Sequence, residues 1–139
     1  MKRTSEHGVA IAEVAGAGPE LESVRELFVE YAKTPGVGQC VRDFDRELAA
    51  LPGAYAPPAG CLWLAELGGV PAGCVALRAL DSARCEMKRL YVRAPFRGPG
   101  LAGILVECVI ERPRALGYLE RYLDTLPSPV DPLIGWNTT

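Results

Sequence analysis

Histidine is almost missing from this chain of 139 residues: there is one, His7, close to the N-terminus. No second histidine and no Cys-x-x-Cys pair accompanies it, so neighbours in sequence build no zinc-ligand cluster. An excess of positive charge is missing too. Fifteen Lys and Arg against seventeen Asp and Glu give a net charge of −2, which excludes a basic footprint for nucleic acid and a polybasic membrane signal. No apolar run approaches the ~20 residues of a membrane span, and Met1-Lys2-Arg3 leads into Thr4-Ser5-Glu6-His7 rather than the apolar core of a signal peptide. The five cysteines, at 40, 61, 74, 85 and 108, are odd in number, scattered and set mostly among apolar neighbours. They read as reduced, core-filling thiols of a cytoplasmic protein. Internal repeats and low-complexity segments are also missing.

What remains is an ordinary globular composition, 49% hydrophobic and 23% charged, in one domain large enough for a real core. Residues 8–14 form a first short strand. Pro19 opens a helix whose stripe is Leu21, Val24, Leu27, Phe28 and Tyr31, with Glu20, Glu22, Glu26 and Glu30 on a solvated face. Pro35-Gly36 ends it. A second helix spans roughly 39–51, with Val41, Phe44, Leu48 and Leu51 inward, and stops at Pro52-Gly53. Residues 54–60 are a proline-rich loop. Strands then follow at 61–66 (with Trp63 in the core) and 70–80 around a Gly68-Gly69 hairpin turn. A turn at 81–84 delivers the chain to a third strand of this antiparallel meander.

That third strand and its sequel carry the chemistry. In Cys85–Val92 the alternation sets Met87, Arg89 and Tyr91 on one face and Glu86, Lys88, Leu90 and Val92 on the other. Pro95 breaks the pattern, and Gly98 and Gly100 form a turn into a helix with Leu101, Ile104, Leu105, Cys108 and Val109 on its buried face. Pro113 is expected to kink that helix or end it early, and 118–124 returns as a strand. The unit is β-α-β, parallel and right-handed. The helix N-terminus offers unpaired N–H groups and a positive dipole end, small residues at Gly98, Gly100, Ala102 and Gly103 permit close approach, and Arg97 adds a forked donor. A phosphate or pyrophosphate site is the natural inference, although the dinucleotide fingerprint and the P-loop pattern both fail.

The run from Glu86 to Ala102 resembles the acetyl-CoA-binding motif of GNAT-type N-acyltransferases, Arg/Gln-x-x-Gly-x-Gly/Ala, met here by Arg97, Gly100 and Ala102. The element order (strand, two helices, three strands, helix, strand) is that of the GNAT fold, so the resemblance implies an α/β (α+β) fold with a mixed sheet. It also implies acetyl-CoA as donor and an unidentified amine of a small molecule or peptide as acceptor. The cofactor pyrophosphate would lie on the turn formed by Arg97, Gly98, Pro99, Gly100, Leu101, Ala102 and Gly103. The pantetheine arm would pair with the backbone of Leu90, Tyr91 and Val92. Pro99 departs slightly from the pattern, because it brings no N–H donor.

The resemblance implies direct transfer to a neutral amine, for which a carboxylate base is useful. Glu86 stands where many relatives carry an acidic residue and is the candidate base; it reads equally as a strand glutamate paired with Lys88 or solvent. The Val92 N–H is a candidate oxyanion donor. Cys85 and Cys108 read as packed thiols. The resemblance covers roughly residues 8–128. Beyond it, relatives continue with a helix and two closing strands, whereas this chain gives a tail at 129–139 that contains two prolines, a glycine and Trp136. No general acid carries over, and Tyr118 and Tyr122 are not its equivalents. The tail compensates, a second copy in a homodimer completes the fold, or the member is shortened and impaired. Three functions stay open: an active N-acetyltransferase, a non-catalytic CoA-binding module, and a fragment that needs a partner chain.

Overall fold

The computed structural model describes residues 2–4, 8–33, 44–97, 100–123 and 137–138. They contain one seven-stranded sheet in sequential order: β1 (Lys2–Thr4), β2 (Val9–Glu13), β3 (Cys61–Leu67), β4 (Val70–Ala79), β5 (Arg84–Val92), β6 (Glu120–Leu123) and β7 (Asn137–Thr138). Strands β1 to β5 are antiparallel to their neighbours, while β6 and β7 join in parallel. Helices α1 (Pro19–Ala32) and α2 (Phe44–Ala50) lie between β2 and β3 in sequence, and α3 (Leu101–Leu116) carries the chain from β5 to β6. The expected α+β architecture is present.

Both faces of the central strands are covered, which is why their sequences read as near-continuous apolar runs. On β3, Cys61, Trp63 and Ala65 join a core with Leu101, Leu105 and Val109 of α3. The alternate residues Leu62 and Leu64 pack with Val24, Leu27 and Phe28 of α1. The stripe predicted for α1 is the buried one, from Leu21 to Tyr31.

Several expectations are corrected. Strand β1 is not predicted by pattern, because Lys2-Arg3-Thr4 has no apolar alternation; a charged edge strand needs none. The loop at 54–60 begins within a single 3₁₀ turn, Gly53–Tyr55, which buries Tyr55. The second helix is seen over Phe44–Ala50, and positions 39–43 lie outside the described residues. Helix α3 does not end at Pro113 but runs on to Leu116. Proline removes one bond, to the Val109 carbonyl, while its buried ring anchors the last turn. The Tyr118 N–H donates to the Pro113 carbonyl at 3.0 Å, closing the helix with a six-to-one bond. Finally, the tail returns a strand to the sheet: Asn137 and Thr138 align with Tyr122 and Leu123. His7 and Trp136 lie outside the described residues.

Candidate active site

Strand β5 alternates as predicted only up to Lys88. Its register against β4 runs Glu86↔Arg78, Met87↔Leu77 and Lys88↔Ala76, then resumes at Tyr91↔Cys74 and Val92↔Gly73. Arg89 and Leu90 therefore both stand against Val75, which is a β-bulge. Arg89 has φ of 61°, in the left-handed region that a side chain with Cβ enters at a cost of roughly 1–2 kcal/mol. The predicted faces are corrected accordingly. Cys85, Met87, Leu90 and Val92 pack toward α3, while Tyr91 packs toward α1.

The bulge has a clear physical reason. Regular alternation would have put the Arg89 guanidinium beside Met87 in the apolar layer under α3, unpaired and desolvated. Instead Nε and Nη2 donate to the two Glu47 carboxylate oxygens of α2 at 2.9 and 2.8 Å, and the guanidinium lies 5.8 Å from the Tyr31 ring centroid. Burial is the largest single effect and works against the charge on Arg89, but the Glu47 hydrogen bond together with the attraction of Tyr55, Glu47 and Tyr31 outweighs it, and the pKa is raised. Burial first, and Glu47 second, push the nearby Tyr55 phenol well above its ordinary range. The Cys74 thiol donates to the Arg89 carbonyl at 3.4 Å.

Beyond the bulge, β4 is the one described strand beside β5. The parallel ladder with β6 covers only Arg84–Met87 against Glu120–Leu123. Among the described residues, Leu90, Tyr91 and Val92 have a strand on the β4 side alone. The Val92 carbonyl accepts from Arg97 Nε at 2.8 Å, whereas the Arg93 N–H crosses to the Ala72 carbonyl of β4 at 2.8 Å. In an antiparallel ladder a residue's N–H and C=O leave on the same side, and successive residues alternate sides. The Val92 N–H thus points away from β4, on the edge that no described strand covers and on the same side as the carbonyl that Arg97 holds.

Gly100, with φ of 83°, turns the chain into α3. The first intrahelical bond runs from the Ile104 N–H to the Gly100 carbonyl at 3.2 Å, so the N–H groups of Leu101, Ala102 and Gly103 have no acceptor within the helix. A Cβ placed on Gly103 would meet nothing within 4 Å. The Arg97 guanidinium lies 5.9 Å from the Tyr91 ring centroid. The structure therefore brings together Leu90–Val92, Arg97 and Gly100–Gly103. Gly98 and Pro99 lie outside the described residues.

Glu86 lies elsewhere on the same strand. It is buried, and its partner is not Lys88: Arg78 Nε donates to its Oε1 at 3.0 Å across the β4–β5 ladder. Sequence reasoning also missed Glu30, which is not part of a solvated face. It accepts from Arg93 of the β5 end (Nη2 at 2.5 Å) and from the Tyr91 hydroxyl at 3.2 Å. The Arg93 hydrogen bond, opposed by partial burial, holds its pKa below the usual glutamate value. A signal was present in the placement of Glu30 one residue before Tyr31, at the edge of the apolar stripe, but its partner stands 63 residues away. The four described cysteines are buried and in no disulfide, and no metal-binding cluster occurs among the described residues. A cavity of about 290 Å³ lies between α3 and β2–β3, lined by Ile11, Trp63 and Arg112 among others; none of the turn residues lines it.

The chain matches the Acetyltransferase (GNAT) family over residues 21–135, past the point near 128 where sequence reading places the end of the resemblance. It is 38% identical over 109 residues to an uncharacterised N-acetyltransferase of Schizosaccharomyces pombe, covering 77% of this chain and 67% of that one. An uncharacterised N-acetyltransferase of Escherichia coli is 32% identical over 105 residues, covering 73% of this chain and 62% of that one, so this chain spans less than two thirds of it. The crystal structure of a GNAT family acetyltransferase from Elizabethkingia anophelis, with acetyl-CoA bound, superposes with a TM-score of 0.59 at 21% identity, covering 86% of this chain and 67% of that one. A bulged strand leading to a glycine-led helix start, in a sheet of this order, is what the family match spans, and the chain belongs to the GNAT acetyltransferase family.

Proposed function

We propose that this chain transfers an acetyl group from acetyl-CoA to an amine of a small molecule or peptide. The observation that carries this reading is the edge of β5 at Leu90–Val92, which no described strand covers, set beside the N–H groups that open α3 without a helical acceptor. Arg97 links the two, with its Nε on the Val92 carbonyl and its other nitrogens without a hydrogen-bond partner among the described residues. The cofactor pyrophosphate would sit on Arg97 and the turn Gly98–Gly103. The pantetheine arm would lie along Leu90, Tyr91 and Val92. Acetyl-CoA is the group bound in the Elizabethkingia relative. The reading is of a cytoplasmic enzyme, supported by buried cysteines in no disulfide and by the lack, among the described residues, of a helix long and apolar enough to cross a membrane.

In the transfer, the neutral amine nitrogen attacks the thioester carbonyl carbon, the C–S bond breaks, and CoA leaves as its thiolate. The amine proton must pass to a base. The Val92 N–H, on that edge, would stabilise the oxyanion, and Glu86 is the candidate base, oriented by Arg78. The same Arg78 pairing favours a second reading, in which Glu86 is a buried strand ion pair and the chain is a CoA-binding module without acceptor chemistry. Glu86→Gln separates them: a fall in turnover with acetyl-CoA affinity retained supports the base, and unchanged kinetics return Glu86 to the sheet.

The first test is a thermal melt with acetyl-CoA and with NAD as control. Ligand at about one hundred times its Kd adds roughly 2.7 kcal/mol, a shift on the order of 5 °C or more for a domain of this size. A cooperative melt with no shift by acetyl-CoA would sink the cofactor assignment. The absence of a cooperative melt would point to a chain that needs a partner, such as a second copy in a homodimer.

A further inference from the structure

Val92 sits between two residues whose side chains end on one carboxylate. On its N-terminal side, the Tyr91 hydroxyl donates to Glu30 Oε1 at 3.2 Å. On its C-terminal side, Arg93 Nε donates to both Glu30 oxygens at 2.9 and 3.1 Å, and Nη2 donates to Oε2 at 2.5 Å. The remaining Arg93 nitrogen, Nη1, donates to the Pro71 carbonyl at the start of β4, at 3.1 Å. Tyr31, one residue after Glu30 on α1, meets the Tyr91 ring edge-on with centroids 6.1 Å apart.

This end of β5 needs external support. Among the described residues the β6 ladder reaches no further than Met87, the bulge interrupts the β4 ladder at Arg89 and Leu90, and a bulged strand held by a single ladder is free to twist. We infer that Glu30 is a positioning residue: by gripping Tyr91 and Arg93 together it fixes the two peptide planes of Val92 at the orientation the pantetheine arm reads. This rests on the cofactor assignment above and extends it from the strand to helix α1. Glu30 holds Tyr91 on the α1 face of β5, whereas Leu101 of the helix start packs on the opposite face. The Tyr91 ring also lies beside Arg97, but Glu30 grips its hydroxyl and not its face, so the clamp should govern the pantetheine contacts more than the pyrophosphate contacts.

The test compares two probes, acetyl-CoA and ADP, titrated calorimetrically into the parent, Glu30→Gln and Glu26→Gln. Glu26 is the control because it carries the same charge on the same helix but stands 3.9 Å from Arg93 Nη2 and is largely exposed. Glu30→Gln is expected to weaken acetyl-CoA at least tenfold while ADP affinity stays within twofold, and Glu26→Gln is expected to change neither. Equal weakening of both probes, or unchanged acetyl-CoA affinity in a folded Glu30→Gln, overturns the inference. If Glu30→Gln does not fold, Tyr91→Phe removes one arm of the clamp alone; a loss of at least threefold for acetyl-CoA supports the inference and no loss overturns it. A parent that binds neither probe overturns the cofactor assignment, and this inference with it.

Discussion

Replacing Gly73 with alanine tests the packing that shapes the candidate site. Gly73 stands opposite Val92 in the β4–β5 ladder, and a Cβ there would lie 2.7 Å from the Tyr91 carbonyl oxygen and 3.3 Å from both Leu105 Cδ1 and Val92 Cγ2. The Leu105 and Val92 methyl groups can yield; the carbonyl can do so only by shifting the strand. Two effects oppose each other. Overpacking of this kind costs about 1–3 kcal/mol, whereas alanine restricts the unfolded chain and returns about 0.4–1 kcal/mol. The clash wins, leaving a net loss on the order of 1–2 kcal/mol. For a domain of this size the midpoint should fall by roughly 3–8 °C, and urea unfolding should show a lower midpoint at an unchanged slope. The comparison is Gly16→Ala, whose Cβ would meet nothing within 4 Å and which should be neutral or slightly stabilising. Because the strand that must move carries Val92, Gly73→Ala should also shrink the thermal shift given by acetyl-CoA. A Gly73→Ala protein as stable as the Gly16→Ala control would refute the argument, since it would mean that β5 yields without cost.

Other outcomes follow from the same geometry. Arg97→Ala combined with Gly100→Val should abolish CoA binding; undiminished affinity in the folded variant would remove the pyrophosphate assignment. The contribution of Glu30 should depend on pH in one direction. Its folded pKa is lowered by Arg93, so its stabilisation is present above the ordinary glutamate value of about 4.5 and is lost as pH falls through the folded value. The difference in Tm between the parent and Glu30→Gln should thus hold steady near neutrality and narrow as pH falls through the folded value; a gap that does not change with pH contradicts the pairing. Cys61, Cys74, Cys85 and Cys108 are buried, and burial pushes the Cys61 thiol up to about 11. All four should resist iodoacetamide at pH 8 until the protein is unfolded, as peptide mass spectrometry would show.

Local features are readable in the sequence and distant ones are hidden. The faces of α1 and α3 and the β3–β4 hairpin are written in short-range periodicity, and Arg97, Gly100 and Ala102 sit together in a few consecutive residues. The bulge at Arg89 cannot be read in that way. It exists because two residues of β5 face one residue of β4, a count that appears only when the strands are paired. Alternation alone assigns Arg89 to the face of Met87, and the need to ion-pair a buried guanidinium with Glu47, 42 residues away, overrides it. Glu30 is misread for the same reason. Helical periodicity says which residues avoid the core, and it does not reveal an arginine waiting across the groove. Glu86 falls on the right strand but with the wrong partner, because Arg78 is its neighbour only through the antiparallel register.

The bulge can also be regarded as surplus length. Between Lys88 and Tyr91 the backbone of β5 carries two residues where β4 spans the same interval with one, an excess of about 3.3 Å of extended chain. That slack has to bow out of the ladder, and it does so two residues beyond Met87, the last residue that the described part of β6 pairs. Deleting Arg89 would leave each remaining pair in register and each remaining side chain on its present face. A shorter β5 would then be free to lie flat along β4, without the bow that now interrupts their ladder. The set of the strand at Val92 would thus depend on one residue in the tally of the strand as much as on the chemistry of any side chain.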